Sequence, residues 1–186
     1  MRLRRLVALL PLALTACGYN TIQTYDEKAN AAKQQIEVQL QRRADLVPNL
    51  VEVVRGQAKQ ELEVFTQVAK ARSGLVDAVQ KGDPRGMAEA NEQLTTAMRG
   101  LMIQVEAYPQ IKSDQAFLRL QDELTGTENR IAVSRTDLNG AVETYNTYIR
   151  KFPQVMTAKV IGSKPKEYFE VSNAAAREAP KIDLTK

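Results

Sequence analysis

The chain of 186 residues carries 26 Lys and Arg against 22 Asp and Glu, and 44% of it is hydrophobic, which fits one globular domain and excludes a disordered or polytopic membrane chain. It has no His, no Trp and a single Cys, Cys17. No Ser-His-Asp triad, HExxH zinc site, histidine base, internal disulfide or thiolate metal cage can therefore be built from it.

The first sixteen residues read as a targeting segment. Arg2, Arg4 and Arg5 form a basic start, and Leu6 to Leu14 is an apolar run too short to cross a hydrocarbon core of roughly 30 Å. Leu14-Thr15-Ala16-Cys17-Gly18 looks like a bacterial lipobox, so cleavage before Cys17 and attachment to its sulfur of a diacylglycerol, with fatty acids such as palmitate, are expected. A buried Cys that merely follows an apolar stretch is the alternative, and the position of this sole Cys at the end of an Arg- and Leu-rich leader argues against it. Two or three acyl chains suffice for stable anchoring. Gly18 in place of Asp after the Cys favours the outer membrane, facing the periplasm, over the inner one.

Without the three leader arginines, 26 basic residues become 23 against 22 acidic ones. Arg42-Arg43 is followed closely by Asp45, and no basic face of the kind that displaces counterions from phosphates is visible, so nucleic acid is not an expected partner.

The remainder has helical periodicity. Segment one places Ile22, Tyr25, Ala29, Ala32, Ile36, Leu40, Ala44 and Val47 at steps of three and four; segment two continues with Val51, Val54, Ala58, Leu62, Phe65, Ala69, Arg72 and Val76 up to Lys81-Gly82. Asp83-Pro84 starts segment three, in which Asp caps and Pro gives up an N–H that has no partner at that position; its stripe is Met87, Ala90, Leu94, Ala97, Leu101, Val105 and Tyr108. Pro109 ends it, and Ser113 or Asp114 caps segment four, with Phe117, Leu120, Leu124, Ile131, Leu138, Val142, Tyr145, Ile149 and Phe152 on one face. Beyond Pro153 the pattern is broken by Gly162, Pro165 and Pro180, with at most a short helix around Lys166 to Glu178. The expected domain plan is a signal peptide over 1–16, a lipidated tether over 17–24, a helical bundle over 25–153 and a tail over 154–186.

Pro48 decides the architecture. A single helix from Ile22 to Val79 would be roughly 87 Å long, whereas a break at Pro48 gives four segments of comparable length. The expected fold is all-α: an up-and-down antiparallel four-helix bundle with an irregular C-terminal tail. A long, Pro48-kinked first helix in a three-helix bundle is the alternative.

Segment four has polar residues where its stripe should be apolar: Thr127 and Glu128, then Ser134 and Arg135. Charged groups facing a bundle interior need partners, and the candidates are Arg42, Arg43, Asp45 and Asn49 on the first segment. Glu128 and Arg135 lie two turns apart, so each is expected to bond to another helix. The expected role of this network is to fix helix register, in preference to a catalytic or ligand site.

Several of the same residues carry a family resemblance. Arg42-Arg43-Ala44-Asp45-Leu46-Val47-Pro48-Asn49-Leu50-Val51, Ala71-Arg72, Glu106-Ala107-Tyr108-Pro109, Phe117-Leu118-Arg119-Leu120, Thr127-Glu128-Asn129-Arg130-Ile131, Tyr145-Asn146, Phe152-Pro153 and Tyr168-Phe169-Glu170 occur in the order found in the LemA family, which the chain resembles from Tyr19-Asn20 to about Glu170. The resemblance implies a helical bundle tethered to a bacterial membrane with its soluble part outside the cytoplasm; it carries over no established catalytic activity, and no cofactor or metal is expected. It also implies envelope functions, extending in one branch to magnetosome membranes. Most members use an N-terminal transmembrane helix where this chain has a lipidation Cys; Asp137-Leu138-Asn139 and Gly162-Ser163 also depart from the family pattern.

Three functions are thus compared. The first is a non-catalytic envelope lipoprotein acting as a scaffold for an unidentified envelope protein, its Pro- and Lys-rich tail free to contact that partner. The second is an envelope enzyme or ligand-binding protein using the polar positions of the bundle. The third is a lipoprotein linked to murein through Lys186.

Overall fold

The computed structural model describes residues 18–57 and 62–171. It is a helical bundle. Helices α1 (Tyr19–Gln57), α2 (Leu62–Lys81), α3 (Pro84–Val105) and α5 (Gln115–Tyr148) are long, while α4 (Pro109–Lys112) and α6 (Gln154–Val160) are short. The leader, Cys17 and Lys186 lie outside the described residues.

The direction of each long helix follows from its bonds. Arg72 of α2 reaches back to Ala44 of α1, and Gly82 lies beside Lys33, so α2 runs antiparallel to α1. Asn91 of α3 meets Arg43, while Glu128 meets Arg43 and Asp114 meets Gln57, so α5 descends antiparallel to α1. The up-and-down antiparallel arrangement expected from the sequence is therefore present. Its helices are unequal: α1, with 39 residues, is about 58 Å long. The α2–α3 hairpin covers only the C-terminal part of α1, and the N-terminal part of α1 packs on the end of α5 and on α6.

Pro48 does not divide the first two segments. It sits inside α1, which continues beyond it to Gln57. A proline inside a helix removes the N–H that would bond the carbonyl four residues back. Here that carbonyl belongs to Ala44, and Arg72 Nε donates to it at 2.8 Å from α2. The orphaned acceptor is satisfied by the neighbouring helix, so α1 continues. One rod from Ile22 to Val79 is not formed either, because α2 runs antiparallel to α1.

The apolar stripes of α1, α3 and α5 are buried as their spacing predicts: Ile36, Leu40, Val47, Leu94, Leu101, Ile131 and Leu138 are all in the core. In α2 the phase is different. Phe65, Val68 and Leu75 are buried while Leu62 and Ala69 are exposed, because α2 is a separate helix antiparallel to α1 and does not inherit the phase that a continuous reading carries into it. Asp83 caps α3, its carboxylate accepting from the Arg85 and Gly86 amides, with Pro84 in the first turn. Asp114, not Ser113, caps α5 by accepting from the Ala116 and Phe117 amides. Phe152 is not on the buried face of α5: that helix ends at Tyr148, and Phe152 is 83% exposed.

Two further expectations are corrected. Residues 18–24 are not a tether, since α1 begins at Tyr19 and Ile22 is buried against Tyr145, Ile149 and Ala158. The tail up to residue 171 is not free, and it is not helical around Lys166; the helix lies earlier, at α6. From Ser163 the chain runs back along α5, where two asparagines hold its backbone. Asn146 accepts from the Lys166 amide at 2.8 Å and donates to the Lys166 carbonyl at 2.9 Å. Asn139 does the same to Phe169, at 2.8 and 3.3 Å. The two asparagines are seven apart, two helical turns, so both face the same strip of the tail. Phe169 is buried in the main core, and the Lys166 ammonium bonds Asn30 at 2.7 Å and Asp26 at 3.0 Å while lying over the Tyr145 ring. These contacts join the tail to both α1 and α5.

Two outcomes are expected. Arg72→Met should lower stability by about 1–2 kcal/mol because the Ala44 carbonyl loses its partner, and the loss should shrink in a Pro48→Ala background, where the new amide can take that carbonyl. Equal losses in the two backgrounds, measured by urea denaturation, would show that the Ala44 bond is not what Arg72 contributes. Asn146→Ala should cost about 1–3 kcal/mol and speed amide exchange at Lys166, read by hydrogen–deuterium exchange.

Candidate functional site

The site is built around one side chain. Arg43 lies three residues after Leu40 and four before Val47, on the buried face of α1, and is only 3% exposed. Its Nη1 donates to Asn91 Oδ1 of α3 at 2.7 Å and its Nη2 to Glu128 Oε1 of α5 at 2.5 Å. One guanidinium thus holds two helices that flank α1. Its planar fork suits this task because it offers donors in two fixed directions at once. Its Nε is buried without a partner.

Burial pulls the Arg43 pKa down, and the negative charges of Glu128 and, more weakly, Glu92 act in the opposite sense. The guanidinium nevertheless stays charged at neutral pH. The pair is asymmetric: the Arg43 side chain is 4% exposed and that of Glu128 is 49% exposed. The carboxylate sits where water reaches it, and the guanidinium does not.

Above this pair α3 and α5 stand apart, leaving two adjoining clefts of about 240 and 230 Å³ that share Arg43, Thr95 and Glu128. The first is floored by Met98, Met102 and Leu124, with Arg99 at its edge. The second is bounded by Glu92, Ile131 and Arg135 and closed by Phe169 and Val171 of the tail. The arrangement places a hydrogen-bonded ion pair at the base of a partly apolar groove. Among the described residues no group of His, Cys, Asp or Glu is placed to hold a metal ion.

The residues expected to form a buried network separate into two sets. Arg43 and Glu128 are brought together as an interhelical pair. Arg42, Asp45, Asn49 and Arg135 do not join it. Arg42 lies 4.0 Å from Glu123 on the surface, a pair of the kind that contributes little, and Asp45 accepts from Gln41 on its own helix. Arg135 lines the second cleft. On α5 the buried stripe positions are Thr127 and Ser134, and Glu128 and Arg135 are each one residue round the helix. Thr127 is accommodated by donating to the Glu123 carbonyl at 2.8 Å. Asn91 completes the Arg43 network. The apolar stripe of α3 does not point to it because it stands beside that stripe, between Ala90 and Leu94.

The burial asymmetry sets an expected outcome. Glu128→Ala should lower the melting temperature, with a loss of about 1–3 kcal/mol, because it strands a charge that cannot reach water. Arg43→Met should cost less, since Glu128 can be hydrated and a buried charge is replaced by apolar packing. Thermal denaturation of the two variants compares them directly; a larger loss from Arg43→Met would reverse this account of the pair.

The residues that bond the helices together also place the chain among known proteins. The LemA family model matches residues 32–184, a span that includes Arg43, Pro48, Arg72, Glu128, Asn146 and Phe169. Two relatives from Paramagnetospirillum magneticum, named magnetosome proteins MamQ 2 and MamQ 1, are each 32% identical over 183 residues, covering 86% of this chain and 67% of theirs. The magnetosome protein MamQ of Magnetospirillum gryphiswaldense is 31% identical over 175 residues, covering 81% of this chain and 64% of its own. This chain thus spans about two thirds of the length of the relatives it matches. The family match over most of the chain, together with these relatives, makes the protein a member of the LemA family.

Proposed function

We propose that the protein is a non-catalytic, lipid-anchored scaffold of the bacterial cell envelope, held on the outer membrane through Cys17 and presenting its bundle to the periplasm. The observation that carries this reading is the leader: a basic start, a short apolar run and Leu14-Thr15-Ala16-Cys17, ending one residue before Gly18. Acylation there supplies the membrane attachment. No helix among the described residues is long and apolar enough to cross a membrane.

Two further features support the proposal. The relatives are named as magnetosome proteins, in keeping with a place at a bacterial membrane. The bundle is cross-linked by Arg43, Arg72 and the asparagine clamps, and such a body can hold a partner at a fixed orientation. The partner is an envelope protein, and the groove between α3 and α5 is the concave surface that offers itself to it.

Intact mass of the chain from a membrane fraction tests the anchor. The native protein should begin at Cys17 and carry a diacylglycerol and an acyl chain, whereas Cys17→Ser should keep residues 1–16 and carry neither. A native chain with an unmodified Cys17 and an intact leader overturns the proposal.

A further inference from the structure

The end of the bundle where α1 begins has a surface unlike the rest of the molecule. Helix α6 packs Thr157 and Ala158 inward and turns Met156 and Val160, four residues apart on one face, outward. Val160 is 86% exposed, and Phe152, in the turn leading into the helix, is 83% exposed. Ile161 extends the exposed apolar run past the end of the helix. A short helix that keeps its largest apolar side chains in water has an unpartnered face.

The charge around this face has one sign. Arg150, Lys151, Lys159 and Lys164 are all exposed, and between Thr144 and Lys166 there is no Asp or Glu. Lys159 stands beside Val160, and Lys151 beside Phe152. The N-terminal side of the same end contains no acidic residue before Asp26.

Where the chain enters the bundle is fixed by the same helix. Gly18 has φ +99°, and a Cβ there would lie 2.9 Å from the Tyr148 hydroxyl and 3.0 Å from Gln154 Cγ of α6. Gly18, the residue after the proposed acylation site Cys17, therefore lies against α6.

We infer that this face is a membrane-docking surface: Phe152, Met156, Val160 and Ile161 enter the headgroup boundary of the bilayer, and Arg150, Lys151, Lys159 and Lys164 meet anionic phospholipid headgroups. Apolar side chains interleaved with cations are the combination that lies in an interface, where the stems of Lys and Arg share the apolar layer and their charges reach the phosphates. A protein partner would need a surface both apolar and acidic; an anionic bilayer supplies both, and the proposed lipid on Cys17 is one residue from Gly18 at this face. The inference rests on the membrane anchoring proposed above, and adds that the bundle stands on its α6 end, with Gln57 and Leu62 at the far end.

The absence of Trp from the chain provides a clean probe. Full-length protein carrying Phe152→Trp or Val160→Trp is reconstituted into vesicles of phosphatidylethanolamine and phosphatidylglycerol with brominated acyl chains, beside Leu62→Trp at the opposite end as control. Flotation measures anchoring separately, and circular dichroism checks folding. The expected result is loss of emission with a blue shift at positions 152 and 160, none at 62, and weaker quenching when phosphatidylglycerol is replaced by phosphatidylcholine. Chains that float while the indole introduced at either position stays unquenched would leave the anchor standing and overturn the docking. Chains that neither float nor quench would overturn both. An emission change that follows protein concentration and ignores bromine would assign the face to a second copy of the chain, and also overturns the docking.

Discussion

Residues 43 and 44 of the first helix hold the other three long helices. The Arg43 side chain bonds Asn91 and Glu128, and the Ala44 carbonyl accepts Arg72. The second bond exists because Pro48 cannot supply an amide, so a defect in one helix becomes an attachment point for the next. The first puts a cation in the core at a desolvation cost that only well-placed partners offset. Apolar stripes alone allow a helix to slide by a turn with little change in burial; a guanidinium that must meet one amide oxygen and one carboxylate does not. Register is set here, near the middle of the bundle, and the surrounding Leu, Ile and Val layers follow it.

The polar positions that matter at this level were partly readable. Burial on a helix has a period, so Leu40, Val47, Leu94 and Leu138 declare themselves by spacing, and the same spacing singles out Arg43 from Arg42, Asp45 and Asn49 once each is asked whether it falls in step between Leu40 and Val47. Likewise Thr127 and Ser134, not Glu128 and Arg135, complete the stripe from Leu124 to Leu138. Pro48 was less legible, because whether a helix survives a proline depends on a donor from elsewhere, and Arg72 stands 28 residues from the carbonyl it satisfies. The phase of α2 was lost for a related reason: Gly56, near the end of α1, is a residue that a helix tolerates, so the reading carried one period past it. The tail was the hardest to read. Its extended backbone is bound by Asn139 and Asn146 through its amides and carbonyls, so its own side chains, Lys166 and Phe169 apart, carry little record of where it lies.

The two ends of the molecule differ in kind. Toward Gln57 the bundle is closed by the capped start of α5, with Gln57 against Asp114. Toward Gly18 it is finished by a different device, a tyrosine pair formed by Tyr25 and Tyr148, a short helix and a returning strap, with Lys166 spanning α1 and α5 through Asp26, Asn30 and Tyr145. The groove over Arg43 lies between these ends and is bordered by the strap's Phe169 and Val171. A partner seated there would touch α3, α5 and the tail together, and would sense any change in how they are spaced.

The returning strap also dictates an order of assembly. The first part of α1, from Ile22 to Tyr25, packs against Tyr145, Tyr148, Ile149 and Ala158. During synthesis or export the α2–α3 hairpin can form from residues close in sequence, whereas the beginning of α1 must wait until more than a hundred residues have followed it. Lys166 and Asn30, 136 positions apart, close the last gap. The start of α1 is therefore the last part of the bundle to find its place.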